Sequence, residues 1–502
     1  MAEIEPFVTE TPVAGEGPIA IIDVGSNSVR LVVFELLTRS PRSVFDEKVP
    51  CGLGRGLGES GRLSPEGRVR ALATIRRFGA LIRAMRAQLL GAVATAAVRD
   101  AEDGEDFARV VHAEAGIALR VLSGTEEARI TELGVLSAFP NAEGVMGDLG
   151  GGSLELVQLG SGARSNHETL ALGPLRFLTD PAPSREEITA AIDSQIGAIS
   201  WLHQAEGRTL YAVGGAWRTL ARIHMAHHRY PLRIVHGYRI SRQDMAEIAA
   251  LVSRLGSQSV AEIEGVPGRR AESLPVAALV LERLLDHAKP AEVVMCAFGL
   301  REGLVYEHLP REARGEDPFL AAARDSASRE GRYSVHAEEI NAWARPVFED
   351  GDSEHARLRF AACSLSDLSW RGHPDYRAEL AMVRILRAPF VGLDHRERAF
   401  VSLAVATRYG GRVKSGLAVE AQNLMSGDAA REARAFGFAL NLAHTLSGGM
   451  PNILSATRLE STGVGIDLIL PATLAAFAGE AVTVSLQALG ESLGKKTRLV
   501  VE

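Results

Sequence analysis

Residues 23–32, D-V-G-S-N-S-V-R-L-V, and residues 148–157, D-L-G-G-G-S-L-E-L-V, decide how this chain folds. Each follows a short apolar run, Pro18 to Ile22 in the first case and Val145 with Met146 in the second. Each then crosses a turn of small or polar residues and returns as a second apolar run, which reads as strand, tight turn, strand. Aligned on Asp23 and Asp148, the Asp, the first Gly, the Ser, the Leu and the Val coincide. An internal repeat of this kind indicates a duplicated structural unit. Small residues in such a turn let backbone N–H groups approach a phosphate closely. A preceding aspartate can hold a divalent cation, directly or through water. Two facing hairpins would therefore clamp a phosphate and its metal. The candidate phosphate loops are Gly25, Ser26, Asn27 and Ser28, and Gly150, Gly151, Gly152 and Ser153.

Outward from the hairpins, strands and helices alternate. Ser64 to Leu90 reads as one long amphipathic helix with Pro65 in its first turn. Gly91–Thr95 and Arg120–Leu122 read as strands, and Thr125–Phe139 as a helix. In the second half, Ser184–Glu206 reads as helix, Thr209–Val213 as strand, and a helix starts at Ala216. Val293–Ala297 is a strand and Gly299–Glu307 a helix. The class is α/β, with two related lobes and a cleft between them. Beyond Pro310 the pattern changes. Arg314–Asp317 is a charged link, His336 to Ser447 is mostly helical, and Ile453–Glu502 alternates as a small strand-rich module.

Bulk properties narrow the field. A chain of 502 residues suggests three or four domains at roughly 100–200 residues each. The net charge of −7 gives no general nucleic-acid signal, so a polyanionic ligand needs a local basic surface. Cys51, Cys296 and Cys363 are scattered, with no CxxC spacing, which argues for a reducing cytoplasm and against a zinc site or disulfides. The acidic, Pro/Gly-containing residues 1–17 read as a flexible lead-in, not a signal peptide. The apolar stretch Ile19–Leu37 is broken by Asp23, Asn27, Arg30 and Glu35, so no membrane span is expected there.

Five stretches in register resemble the exopolyphosphatase and guanosine pentaphosphate phosphohydrolase family. They are the two hairpins, A-T-A-A-V-R-D-A from Ala94, L-S-G-T-E-E-A-R from Leu122, and G-L-R-E-G from Gly299. The hairpins alone also fit a sugar kinase or a chaperone-type ATPase; the other segments separate these. The resemblance implies a duplicated actin-like ATPase (ribonuclease H-like) fold over residues 18–130 and 131–311. It implies an α-helical HD-like domain over 312–447 and a small α+β module over 448–502. Within the HD-like region Asp367 follows Ser366, where a metal site would need a paired His, so a non-catalytic relic is expected. Its arginines, Arg324, Arg329, Arg332, Arg345, Arg371, Arg384, Arg387, Arg408 and Arg412, are the available surface for a long polyanion.

The resemblance also assigns roles. Glu127 maps to the catalytic glutamate, a general base toward water, with Glu126 as the neighbouring alternative. Read without the family, both are acidic residues in a helix's first turn, favoured by the dipole. Asp148 and Glu155 match positions linked to Mg²⁺, with Mn²⁺ as a substitute, and Asp23 is a weaker candidate. Arg99 would stabilise the transferring charge. Arg30, which occupies the place of Glu155 in the other repeat, is a further candidate phosphate ligand. The implied activity is processive release of orthophosphate from inorganic polyphosphate by a cytoplasmic homodimer that binds neither nucleic acid nor membrane. The alternatives are 5′-hydrolysis of pppGpp to ppGpp, and a non-hydrolytic actin-fold nucleotide-binding protein. Gly214 and Gly215 sit where ATPases of this superfamily bind adenosine, followed here by Ala216 and the bulky Trp217. The group Arg222, His224, His227, His228, Arg229, Arg233 and His236 reads as a solvated helix face and loop.

Overall fold

The computed structural model describes residues 17–160, 165–179, 181–332, 336–348, 353–410, 416–463 and 465–502. The lead-in, apart from Gly17, and Arg412 lie outside the described residues. The chain forms two compact units, Met1–Glu316 and Asp317–Glu502.

The first unit carries two sheets built on one plan. β1 (Ile19–Val24), β2 (Ser28–Phe34) and β3 (Ser43–Pro50) form an antiparallel meander. Helix α1 (Pro65–Ala84) leads to β4 (Gln88–Ala94), parallel to β1. Helices α2 (Ala96–Asp100) and α3 (Gly104–Ala115) precede β5 (Arg120–Val121), parallel to β4. After α4 (Gly124–Ala138) the plan repeats. β6 (Gly144–Leu149), β7 (Leu154–Leu159) and β8 (His167–Leu170) form the second meander. Helix α5 (Arg185–Gly197) leads to β9 (Thr209–Val213), parallel to β6. Helix α6 (Gly215–His227), β10 (Arg239–Ser241), α7 (Arg242–Val252) and α8 (Leu274–Ala288) precede β11 (Glu292–Met295), parallel to β9. Helix α9 (Leu300–His308) follows. The strand orders are β3-β2-β1-β4-β5 and β10-β11-β9-β6-β7-β8, so the sequence repeat is a structural duplication.

β1 is buried on both faces, which is why it reads as an unbroken apolar run. One face of its sheet meets Ile75 and Phe78 of α1 and Phe107 and Val111 of α3. The other face, with Ile19, Ile21, Val32 and Phe34, meets Ile130 of α4 and Leu304 and Val305 of α9. The crossing of α4 and α9 depends on glycine: a Cβ at Gly303 would lie 1.8 Å from the Ile130 carbonyl oxygen, and one at Gly134 2.1 Å from that of Gly299. The second sheet is covered by Ile188 and Ile192 of α5, Trp217 and Leu220 of α6, and Leu281 and Leu284 of α8.

Two helices stop earlier than their apolar spacing suggests. α1 ends at Ala84, Arg86 turns the chain through φ 51°, and Gln88 to Leu90 enter β4. Pairing with β1 takes these residues out of the helix. α5 ends at Gly197, and only a 3₁₀ turn, Leu202–Ala205, follows.

The second unit is helical: α10 (Pro318–Glu330), α11 (His336–Ala344), α12 (Ser353–Leu365), α13 (Arg377–Arg387), α14 (His395–Arg408), α15 (Gly416–Asn423) and α16 (Gly427–Ser447). It ends in β12 (Arg458–Ser461), β13 (Gly465–Leu470), α17 (Glu480–Leu493) and β14 (Lys496–Val501). β13 and β14 are parallel, joined over α17, which packs on α16. No helix among the described residues is long and apolar enough to cross a membrane. All three cysteines are buried and free.

Candidate functional site

The two turns close with the same bond: Gly25 N donates to Ser28 O at 3.0 Å, and Gly150 N to Ser153 O at 3.0 Å. They abut across the cleft, where a Cβ at Gly152 would meet the Ser26 hydroxyl at 3.0 Å. The second turn is braced from behind by Leu175 N donating to Gly151 O (3.0 Å) and by the Arg176 guanidinium donating to Gly152 O. Gly173 has no room for a side chain there, since a Cβ would stand 2.2 Å from the Gly152 carbonyl carbon.

Both turns line a cleft of about 240 Å³, together with Asp23, Asp148 and Glu127. Its remaining wall is basic: Lys48 from β3, Arg218 from α6, Arg269 and Arg270 ahead of α8, and Arg301 from α9. None of these five was singled out from the sequence. Arg301 lies within the quoted G-L-R-E-G segment, but the others come from segments far apart in the chain, and only the fold brings them together. Arg301 donates to Asp23 at 3.1 Å. Burial, with the charge of Arg270 next, lowers the Lys48 ammonium to about 8. Burial likewise brings Arg270 down to about 10.

The structure separates the two neighbouring glutamates. Ser123 caps α4 and forms a reciprocal capping box with Glu126. Glu126 also accepts from Arg120 at 2.6 Å, and these bonds hold its carboxyl at about 2. Glu127, one position on, turns into the cleft and accepts from Arg99 Nη1 at 2.8 Å. Burial raises its carboxyl to about 7 in spite of that arginine. Asp148 faces Glu155 across the β6–β7 ladder. Burial lifts Asp148 to about 6 and Glu155 well above the carboxylate range. Glu155 is 1% exposed and its Oε1 has no hydrogen-bond partner.

The matching position in the first hairpin is Arg30, opposite Asp23. Its guanidinium forms a two-bond fork with Asp46 of β3, Nε to Oδ1 at 2.6 Å. Trp217 is core, fully buried beneath Gly147 with its indole N–H on Ala277 O at 3.0 Å. Gly214 and Gly215 do line the cleft, but Arg270 lies over the latter, 2.1 Å from where a Gly215 Cβ would be. His224 and His236 are not solvated as their polar run suggests: both are buried, His224 Nδ1 lying 2.8 Å from the Tyr238 hydroxyl and His236 stacked on Phe139.

No group of three His, Cys, Asp or Glu among the described residues is arranged to hold a metal. Mg²⁺ seldom needs one, being bound by one or two carboxylates with waters and substrate phosphates. Asp148, costly to ionise where it stands, and the partnerless Glu155 oxygen fit that demand. In the second unit Asp367 instead accepts from Arg332 (2.6 and 2.8 Å) and Arg408 (3.1 Å). Ser366 contacts His444 Nε2 at 2.9 Å. Arg329 and Arg384 are likewise paired with Asp325 and Glu330, so much of the expected basic surface is neutralised within the unit.

The duplicated α/β unit, with carboxylates and arginines around paired glycine-rich turns, has an actin-like architecture. The chain belongs to the Ppx/GppA phosphatase family, whose pattern matches residues 32–312; the pattern described as exopolyphosphatase, C-terminal, matches residues 319–500. It is 30% identical over 316 residues to exopolyphosphatase 1 of Mycobacterium tuberculosis, covering 59% of this chain and 90% of that protein. It is 25% identical over 455 residues to retrograde regulation protein 2 of Saccharomyces cerevisiae, covering 82% of this chain and 76% of that one. Among solved structures, an exopolyphosphatase from Cytophaga hutchinsonii superposes with a TM-score of 0.52 at 24% identity, over 58% of this chain and 96% of that one. An exopolyphosphatase-like protein does so with a TM-score of 0.52 at 26% identity, over 58% and 98%.

Proposed function

We propose that this protein is an exopolyphosphatase with Glu127 as general base. The observation that carries the reading is Glu127 itself: a carboxyl raised to about 7, turned into the cleft that both glycine-rich turns line and held at 2.8 Å by Arg99. A base tuned near the working pH is the efficient one. The amides of the two turns receive the terminal phosphate. Glu127 takes a proton from water as the water oxygen bonds to that phosphorus. The bridging P–O bond breaks, and the shortened chain leaves with the bridging oxygen. Arg99 and the turn amides meet the charge that spreads over the equatorial oxygens. A Mg²⁺ held by Asp148 and Glu155 would neutralise charge on the phosphate oxygens.

The basic wall favours a bare phosphate chain over pppGpp, because the Arg270 guanidinium covers the glycine surface that a nucleoside would need. The second unit is read as the HD-like helical domain, with Arg332 and Arg408 standing where a metal would balance Asp367. Phosphate release measured side by side from polyphosphate, pppGpp and ATP tests the reading. Polyphosphate is expected to give the highest kcat/KM, and excess chelator to stop the reaction until Mg²⁺ is restored. A higher kcat/KM on pppGpp transfers the assignment to the nucleotide.

A further inference from the structure

Behind the Glu127–Arg99 pair lies a second chamber of about 510 Å³, lined by Arg99, Asp100, Thr125, Ser153, His167 and Arg176 among others. Ser153 lines both spaces. The wall between them includes an ion pair: Glu127 faces the main cleft, Arg99 faces the chamber, and they meet at 2.8 Å. Asp100 ties the chamber's two arginines together, accepting from Arg99 Nε at 3.2 Å on one oxygen and from Arg176 on the other. Arg176 in turn holds the carbonyl of Gly152 in the phosphate turn. Each guanidinium has five N–H donors. These contacts leave several of them for an anion.

On the reading above, the substrate chain runs from the turns along Lys48, Arg218 and Arg270. Its reacting end sits beside Glu127. After cleavage the shortened chain still fills that side, and orthophosphate is formed at the opposite end. We infer that the chamber behind Arg99 is the exit for orthophosphate, with the Glu127–Arg99 pair as its door and Arg176 as the second anion contact. The chemistry itself opens the door. Once Glu127 has taken the proton from water it is neutral, its hold on Arg99 weakens, and the guanidinium is free to pair with the phosphate dianion. The shortened chain then advances without leaving the basic wall.

Thr125 and His167 are exposed and line only the chamber, so Thr125→Trp and His167→Trp plug it without touching the cleft. Cleavage is followed by acid quench, and free orthophosphate by a fluorescent phosphate sensor, in the first turnovers on long-chain polyphosphate. Both folded variants are expected to cleave at the wild-type rate but to release orthophosphate at least tenfold more slowly. That produces a burst in the quenched samples and lowers kcat with kcat/KM unchanged. Release that keeps pace with cleavage in both variants overturns the exit, as does loss of cleavage in both, which would place the chamber within the reacting site. If the wild-type protein frees no orthophosphate from polyphosphate, it is the functional reading that fails.

Discussion

Asp148→Asn should make the metal-free protein more stable, and by a predictable amount. The Asp148 carboxyl is raised from 3.8 to about 6, chiefly by burial. Each pKa unit is worth about 1.36 kcal/mol, so ionising this group in the folded protein costs about 3 kcal/mol. The sign follows from proton uptake. Between 3.8 and about 6 the folded state holds a proton that the unfolded state has lost, so stability from this group is full below 3.8 and lost as pH rises through 6. Asparagine keeps the shape and removes the charge, and among the described residues no hydrogen bond to the Asp148 carboxylate is lost. At pH 8 in chelator, Asp148→Asn should therefore raise the melting temperature of the first unit by about 6–12 °C, taking about 2–4 °C per kcal/mol. Below pH 4 the two proteins should melt together. Added Mg²⁺ should stabilise the wild type and do little for the variant. Scanning calorimetry at both pH values, with and without Mg²⁺, reads all of this. A variant that melts at or below the wild type at pH 8 in chelator would refute the argument.

Glu127→Gln should lower turnover by about 10²–10⁴-fold while leaving polyphosphate affinity nearly unchanged, as measured by kcat and by equilibrium binding. Because Glu127 must be ionised to act, kcat/KM should fall tenfold per pH unit below about 7 and level off above it. Arg99→Gln should move that limb to higher pH, and a pH–rate profile with its midpoint near 4 in the wild type would exclude Glu127 as the base. Asp367→Ala would leave Arg332 and Arg408 without their shared carboxylate and should destabilise the second unit by about 3 kcal/mol in urea unfolding.

The hairpins were legible because their chemistry is local: the Asp, Gly and Ser that make each turn lie within a few residues. The choice between Glu126 and Glu127 stayed open in the sequence, although a signal bearing on it was present. Ser123 followed by Glu126 is the S-x-x-E signature of a capping box, which commits Glu126 to the helix end and leaves Glu127 for the cleft. The basic wall was not legible. Lys48, Arg218, Arg270 and Arg301 come from four separate stretches of the chain, and nothing in any one of them marks its basic residue as a partner of the others. The end of α1 was hidden for another reason: the apolar residues beyond Ala84 suit a helix, and strand pairing with β1 decides against it.

The packing of α9 on the first sheet has a consequence for how the protein is made. Ile19, Ile21, Val32 and Phe34 lack part of their cover until Leu304 and Val305 arrive. At a synthesis rate of about 5–20 residues per second, α9 emerges roughly 10–30 s after α4, the helix it crosses. During that interval the nascent chain carries an open apolar sheet, the state in which trapping by aggregation or by a chaperone is most effective. A gene cut between the two sheets would make that state permanent. The two halves of this duplicated unit are therefore repeats in plan but not in cover, since the first sheet borrows a helix from the far end of the second half.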